Sequence, residues 1–286
     1  MEGRSLRESV AETVARALAE DGAFADATSA AVVPEAARAR ARLIAKTEGV
    51  LAGCAYAEEA FLRCDRAARL TWSARDAGRL RAGQLLLEVH GAARGLLAAE
   101  RTALNFLQRL SGIATATARA VAAAGALQVL DTRKTAPGLR DAEKDAVRAG
   151  GGVNHRRDLS DQILLKENHF ALSGLGYAET IRRALAAAGG RVVGAEARTV
   201  AEAEQALGAG AQYVLLDNFG AAELAAAAAR LRARFPGAVL EASGGLRAES
   251  LAAFAASGLT RVSLGAITHS APALDLSLLI EAEPAA

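Results

Sequence analysis

The chain has 286 residues but only two cysteines, one methionine, one tryptophan, three tyrosines and seven phenylalanines. Cys54 and Cys64 fit no short metal-binding or redox spacing, so two buried thiols are expected in preference to a disulfide or a metal site. No 18-residue run lacks a charge, which argues against a membrane-spanning helix. The stretch Met1-Glu-Gly-Arg-Ser-Leu-Arg7 has no apolar core of the secretory kind, and a cytoplasmic protein is expected. The basic residues number 34 against 32 acidic ones, so no broad positive field is present. With so few aromatics, the chain has little from which to build a base-stacking platform for nucleic acid.

Lysine, asparagine and histidine are also scarce, four of each. Where a cation merely solvates the surface this chain uses Arg, so a retained Lys marks a need for a compact ammonium. Lys46 and Lys144 show the limit of that argument, but Lys134 and Lys166 fall in one conspicuous stretch. Between Asp131 and His169 stand ten basic side chains, including Arg133, Lys134, His155, Arg156 and Lys166. A local basic cluster in a chain of near-zero net charge predicts an anionic ligand.

Apolar residues make up 52% of the chain, enough to bury a sizeable core over about two ordinary domains, or one barrel with an extension. Leu6, Val10, Val14, Ala17 and Leu18 recur at helical spacing over residues 5–20. Strands are expected at 42–45, 50–52, 69–72 and 85–89, forming an antiparallel sheet with helices in the first hundred residues. A long helix follows, from about Gly91 to Ala124, with a break near Ser111-Gly112.

From Leu127 onward, short apolar strands alternate with Ala-rich helices. Strands are expected at 127–130, 162–165, 191–194, 212–216, 238–240 and 260–264, with a short one at 153–155. Apolar runs of this kind read as a parallel sheet buried on both faces, either a barrel with a missing wall or an open doubly wound sheet. In a barrel the chemistry sits at the C-terminal ends of the strands. The residues there are Asp131, Arg133 and Lys134; His155 and Arg156; Lys166 and Glu167; Glu196; Asp217; Glu241 and Ser243; and Gly265. One or two would serve as helix caps in any fold, but the whole set implies a site.

Ser243-Gly244-Gly245 and Leu264-Gly265-Ala266 follow two late strands, where glycine lets backbone N–H groups approach a phosphate. The three glycines at 150–152 end the preceding helix and swing His155 and Arg156 toward the mouth. Glu196 and Asp217 leave neighbouring strands and suit one divalent cation, Mg2+ held together with substrate phosphates, or a developing positive charge. Arg133, Lys134, His155, Arg156 and Lys166 supply more donors than one phosphate needs. A second anion is implied, either a planar di-acid or a diphosphate.

These motifs are familiar as a set. Glu100-Arg-Thr-Ala-Leu-Asn-Phe-Leu-Gln108, Asp131-Thr-Arg-Lys-Thr135 with Pro137-Gly138, Gly150-Gly-Gly-Val-Asn-His-Arg156, Leu165-Lys-Glu-Asn-His169, Leu216-Asp-Asn-Phe219 and Glu241-Ala-Ser-Gly244 closely resemble the quinolinate phosphoribosyltransferases. The resemblance runs in order from about residue 90 to the end. It implies an α+β open-sandwich domain over residues 1–105, an incomplete parallel α/β barrel over 106–269, and a terminal segment, 270–286, that packs back on the first domain. It further implies a homodimer, or a hexamer built as a trimer of dimers, with shared active sites to which Arg101 is lent across the interface.

By the same likeness, quinolinate would be bound by Arg101, Arg133, Lys134, His155, Arg156 and Lys166. Phosphoribosyl pyrophosphate and its Mg2+ would fall to Glu196, Asp217, Ser243, Gly244, Gly265 and His269, with Lys134, Glu196 and Asp217 as the catalytic set. Arg198 departs from the alternation of acidic and apolar residues expected around Glu196. The rival readings are a paralogous phosphoribosyltransferase of different substrate, a barrel lyase or aldolase using Lys134 or Lys166 as a Schiff base, and a silent barrel that only binds phosphorylated metabolites.

Overall fold

The computed structural model describes residues 6–283; Ser5, at the head of the expected opening helix, lies outside them. The chain divides into two compact units, one of Met1–Ala116, Ala136–Gly151 and Ala271–Ala286, the other of Thr117–Thr135 and Gly152–Ser270.

The first unit opens with α1 (Leu6–Glu20), whose Val10, Val14 and Leu18 are buried along one face, followed by α2 (Ala27–Val32). In β1 (Arg38–Ala45), Ala39, Ala41, Leu43 and Ala45 point inward while the arginines alternate outward, the period-two pattern of a half-buried strand. Then come β2 (Gly49–Val50), α3 (Cys54–Cys64), β3 (Arg69–Trp72), β4 (Arg79–Leu80), β5 (Leu85–Ala92) and α4 (Ala93–Ala124), whose residues from Thr117 onward belong to the second unit. β4 lies outside the strands expected from the sequence, and it pairs with β2. Both cysteines are free and only partly buried.

The expected break at Ser111-Gly112 is absent, and α4 runs unbroken for 32 residues. Both residues serve packing instead. The Ser111 hydroxyl accepts from the Ala52 N–H at 3.0 Å and donates to the Ala52 carbonyl at 3.2 Å. A Cβ at Gly112 would stand 2.1 Å from the Pro272 carbonyl oxygen, so glycine there lets chain cross helix closely and is no breaker.

The second unit is laid out by β6 (Gln128–Leu130), β7 (Ile163–Leu165), β8 (Val193–Ala197), β9 (Tyr213–Asp217), β10 (Val239–Ser243) and β11 (Arg261–Ser263). Between β6 and β7 the chain forms α5 (Arg140–Ala149), which belongs to the first unit, and ends it at the triple glycine, with Gly151 at φ 85°. The later helices are α6 (Glu167–Leu172), α7 (Tyr177–Ala186), α8 (Val200–Gly208), α9 (Ala221–Arg234) and the short α10 (Ala266–His269), with a 3-10 helix at Ala248–Phe254. The six strands are parallel in the order β6-β11-β10-β9-β8-β7, and Val153 adds a single parallel bridge to Leu130. First strand thus pairs with last, which a doubly wound sheet does not do. Among the described residues nothing pairs β7 with the Val153 segment, so the wall is that of an incomplete α/β barrel.

β8 begins two residues later than expected and runs through Ala197, because Arg191 is tied into a loop by bonds to the Ser160 and Ala188 carbonyls. The chain then returns to the first unit as β12 (Leu276–Ala282), pairing antiparallel with β1 in the sheet β12-β1-β5-β3. Arg40 and Arg42 reach Glu281 across this edge at 3.0 and 2.9 Å. Among the described residues, no helix is long and apolar enough to cross a membrane.

Candidate active site

The C-terminal ends of the parallel strands carry most of the candidate residues that the sequence singles out. Glu196, the fourth residue of β8, is 8% exposed, and the Lys166 ammonium meets its carboxylate at 2.5 Å. Lys166 is the N-cap of α6, where its N–H donates to His169 Nδ1 at 2.9 Å. The Tyr177 hydroxyl donates to the Glu196 carbonyl at 2.7 Å, and Tyr177 stacks on Phe170. Sequence reading gave Tyr177 no role, since nothing in a helix start announces a side chain that braces a neighbouring strand. Arg198 turns away from Glu196 and pairs with Glu202, whose carboxylate also accepts the Arg198 N–H at 2.8 Å.

Asp217 ends β9, one strand over, and accepts from the Asn218 amide at 2.6 Å. Burial and the nearby charge of Glu196 push its carboxyl above the usual range, against the pull of Lys166 and Lys134. Asn218 takes a left-handed backbone at φ 61°, and its N–H donates to the Ser243 carbonyl at 3.0 Å. Gly244 has φ 99°, and a Cβ there would stand 2.2 Å from the Asn218 side-chain oxygen. Only glycine fits that turn.

Gly265 plays a similar part between two basic side chains. A Cβ on it would come within 3.0 Å of the Lys134 stem and 3.1 Å of the His269 ring, so both side chains converge over a bare stretch of backbone. The Lys134 carbonyl is held by the Thr268 hydroxyl at 2.8 Å, which fixes the loop after β6 against the start of α10. Lys134, Lys166, Glu196, Asp217, Gly244, Gly265 and His269 therefore gather at the ends of β6 to β11.

A second set lies around the Val153 segment. Asp131, fully buried, accepts the His155 N–H at 2.7 Å. Arg156 is 8% exposed and donates through its guanidinium to the Gln162 carbonyl at 3.2 Å. Burial first, and then the charge of Arg133, press against the ionised form of Arg156. Two guanidinium groups this crowded fit a polyanion that neutralises both. Lys166, grouped by sequence reading with this set, directs its ammonium to Glu196. Arg101 stands exposed on α4 in the other unit.

The description "quinolinate phosphoribosyl transferase, N-terminal domain" matches residues 26–111, and the corresponding C-terminal domain matches residues 113–279. The chain belongs to the quinolinate phosphoribosyltransferase family. It is 39% identical over 275 residues to the nicotinate-nucleotide pyrophosphorylase (carboxylating) of Mycobacterium leprae, covering 93% of this chain and 95% of that one. The human protein of the same name is 40% identical over 262 residues, 90% of this chain and 87% of that one. The solved structure of the nicotinate-nucleotide pyrophosphorylase from Francisella tularensis superposes with a TM-score of 0.89 at 37% identity, covering 97% of this chain and 98% of that one. In this phosphoribosyltransferase chain, both residue sets lie within the residues matched by the C-terminal domain.

Proposed function

We propose that the chain transfers the phosphoribosyl group of phosphoribosyl pyrophosphate to quinolinate with loss of CO2, giving nicotinate mononucleotide and pyrophosphate in de novo NAD biosynthesis. The observation that carries this reading is the pairing of Glu196 and Asp217, beside Lys166 and the Gly244 and Gly265 turns, with a separate arginine pair at Arg133 and Arg156. One set suits a ribosyl centre and its phosphates, the other a planar dicarboxylate. Arg101, lent by a second copy in a homodimer or a trimer of dimers in the cytoplasm, belongs to the same reading.

The donor set supports a divalent cation. Among the described residues no three His, Cys, Asp or Glu side chains converge as a metal cage, but two neighbouring carboxylates, one with its ionised form disfavoured by burial and a like charge, fit an ion completed by substrate phosphates. Glu196 and Asp217 would hold Mg2+, which when bound neutralises the leaving pyrophosphate.

In the reaction, the bond from ribose C1′ to the pyrophosphate oxygen breaks, and the electron pair leaves with pyrophosphate. Glu196 and Asp217 face the oxocarbenium character that develops at C1′. Lys134, His269 and the N–H groups around Gly244 and Gly265 take the phosphates. Arg133 and Arg156 orient the carboxylates so that the ring nitrogen forms the new bond to C1′. The ring nitrogen is then cationic, and the bond to the 2-carboxylate breaks, leaving its electron pair on the carbon beside the nitrogen. A proton taken up at that carbon completes nicotinate mononucleotide.

The test is product formation with purified protein, phosphoribosyl pyrophosphate and Mg2+. Quinolinate is expected to yield nicotinate mononucleotide and nicotinate is not. Equal use of nicotinate would contradict the assignment of the arginine pair to a dicarboxylate.

A further inference from the structure

Barrel interiors are ordinarily filled by branched apolar side chains, yet this one holds a charged layer. Glu241, in the middle of β10, is fully buried. Its Oε2 accepts from Arg261 Nε at 2.7 Å, and its Oε1 lies 3.3 Å from His155 Nε2. The Arg261 guanidinium in turn covers the Tyr213 ring at 4.4 Å, and the His155 ring meets the same ring edge-on at 5.9 Å. Tyr213 has room because its partner across the ladder is Gly194, where a Cβ would fall 2.1 Å from the phenol ring. Four strands therefore contribute to the arrangement. A buried carboxylate of this kind carries a large desolvation cost, which packing alone would not require.

What the layer holds is His155. Its Nδ1 accepts the N–H of Arg156 at 2.7 Å, so that nitrogen carries no proton and the ring N–H resides on Nε2, facing Glu241. The His155 N–H is separately fixed by Asp131 at 2.7 Å. The dipeptide His155-Arg156 is thus anchored below by Glu241, behind by Asp131 and beyond by the Gln162 carbonyl.

We propose that Glu241 is a positioning residue for quinolinate binding. It sets the His155 ring, which accepts the Arg156 N–H and so aims the Arg156 guanidinium at the substrate carboxylates. Arg261 holds the carboxylate in place, and the Tyr213 ring packs against its guanidinium. This rests on the function proposed above, and it gives that reading a second layer beneath the mouth.

Two measurements test it. NMR of isotope-labelled histidine in the wild-type protein is expected to show the His155 proton on Nε2, and Glu241→Gln is expected to disturb that signal. In steady-state kinetics, Glu241→Gln, which removes the charge 3.3 Å from the His155 ring, should raise KM for quinolinate about tenfold, while KM for phosphoribosyl pyrophosphate is unchanged. A His155 proton on Nδ1 in the wild type would overturn the proposal. So would a variant whose melting temperature falls while the His155 signal and the quinolinate KM stay as they were. If the wild type failed to use quinolinate at all, the functional reading would fall, and the histidine spectrum would still decide the link between Glu241 and His155.

Discussion

Burial and the charge of Glu196 hold the Asp217 carboxyl above its ordinary range, and this fixes how the site responds to pH. A carboxyl raised in the folded chain binds its proton more tightly there than in the unfolded chain. Its ionised form therefore costs stability at neutral pH, and the cost vanishes as pH falls through the raised value. In the proposed reaction activity moves the opposite way, because the ribosyl centre would need the ionised form. The acid limb of kcat/KM is expected above the usual carboxylate range. Asp217→Asn should lose that limb and about a hundredfold in kcat, while its Tm holds or rises; a pH profile with a melting curve checks both. At this scale Glu196 and Asp217 were legible because they leave neighbouring strands in the sequence. The bond from Lys166 to Glu196 and the grip of Glu241 on His155 were not, since both depend on how strands far apart in the chain are set side by side.

Among the elements, β8 and β9 show what the barrel demands of its neighbours. Tyr213 on β9 lies where a side chain on residue 194 of β8 would be. Gly194→Ala is expected to destabilise the fold by about 1–3 kcal/mol or more, since a methyl would be driven into a packed ring; chemical denaturation measures it. Gly244 makes a separate demand, because its positive φ and the Asn218 contact tie the loop after β10 to the end of β9. The order of strands and helices could be read from the alternation of apolar runs and Ala-rich segments. Ser111-Gly112 was misread as a helix break, because the local signal for a breaker is the same as that for a close crossing, and only the packing of Pro272 and Ala52 tells them apart. The start of β8 was misplaced for a related reason, since Arg191 is tied down by loop carbonyls the sequence does not announce.

For the whole molecule, the two units divide the functional residues unevenly: Arg101 falls in one, and the strand-end residues from Asp131 to Lys134 and from His155 to His269 fall in the other. If sites are shared between copies, Arg101→Ala chains and Lys134→Ala chains, each inactive alone, should recover activity when mixed and allowed to exchange. Recovery measured against mixing time checks it, and none is expected if each chain supplies its own Arg101. The alternation of apolar runs left a barrel and an open doubly wound sheet as alternatives, and the incomplete barrel was expected only from the family resemblance. Whether Val153 pairs with β7 is a matter of geometry that apolar runs do not record. The most direct measurement of the central claim follows the 2-carboxylate of carboxyl-labelled quinolinate. Labelled CO2 should appear in step with pyrophosphate, and only when phosphoribosyl pyrophosphate is present. Pyrophosphate released without labelled CO2, or CO2 released without phosphoribosyl pyrophosphate, would contradict the account.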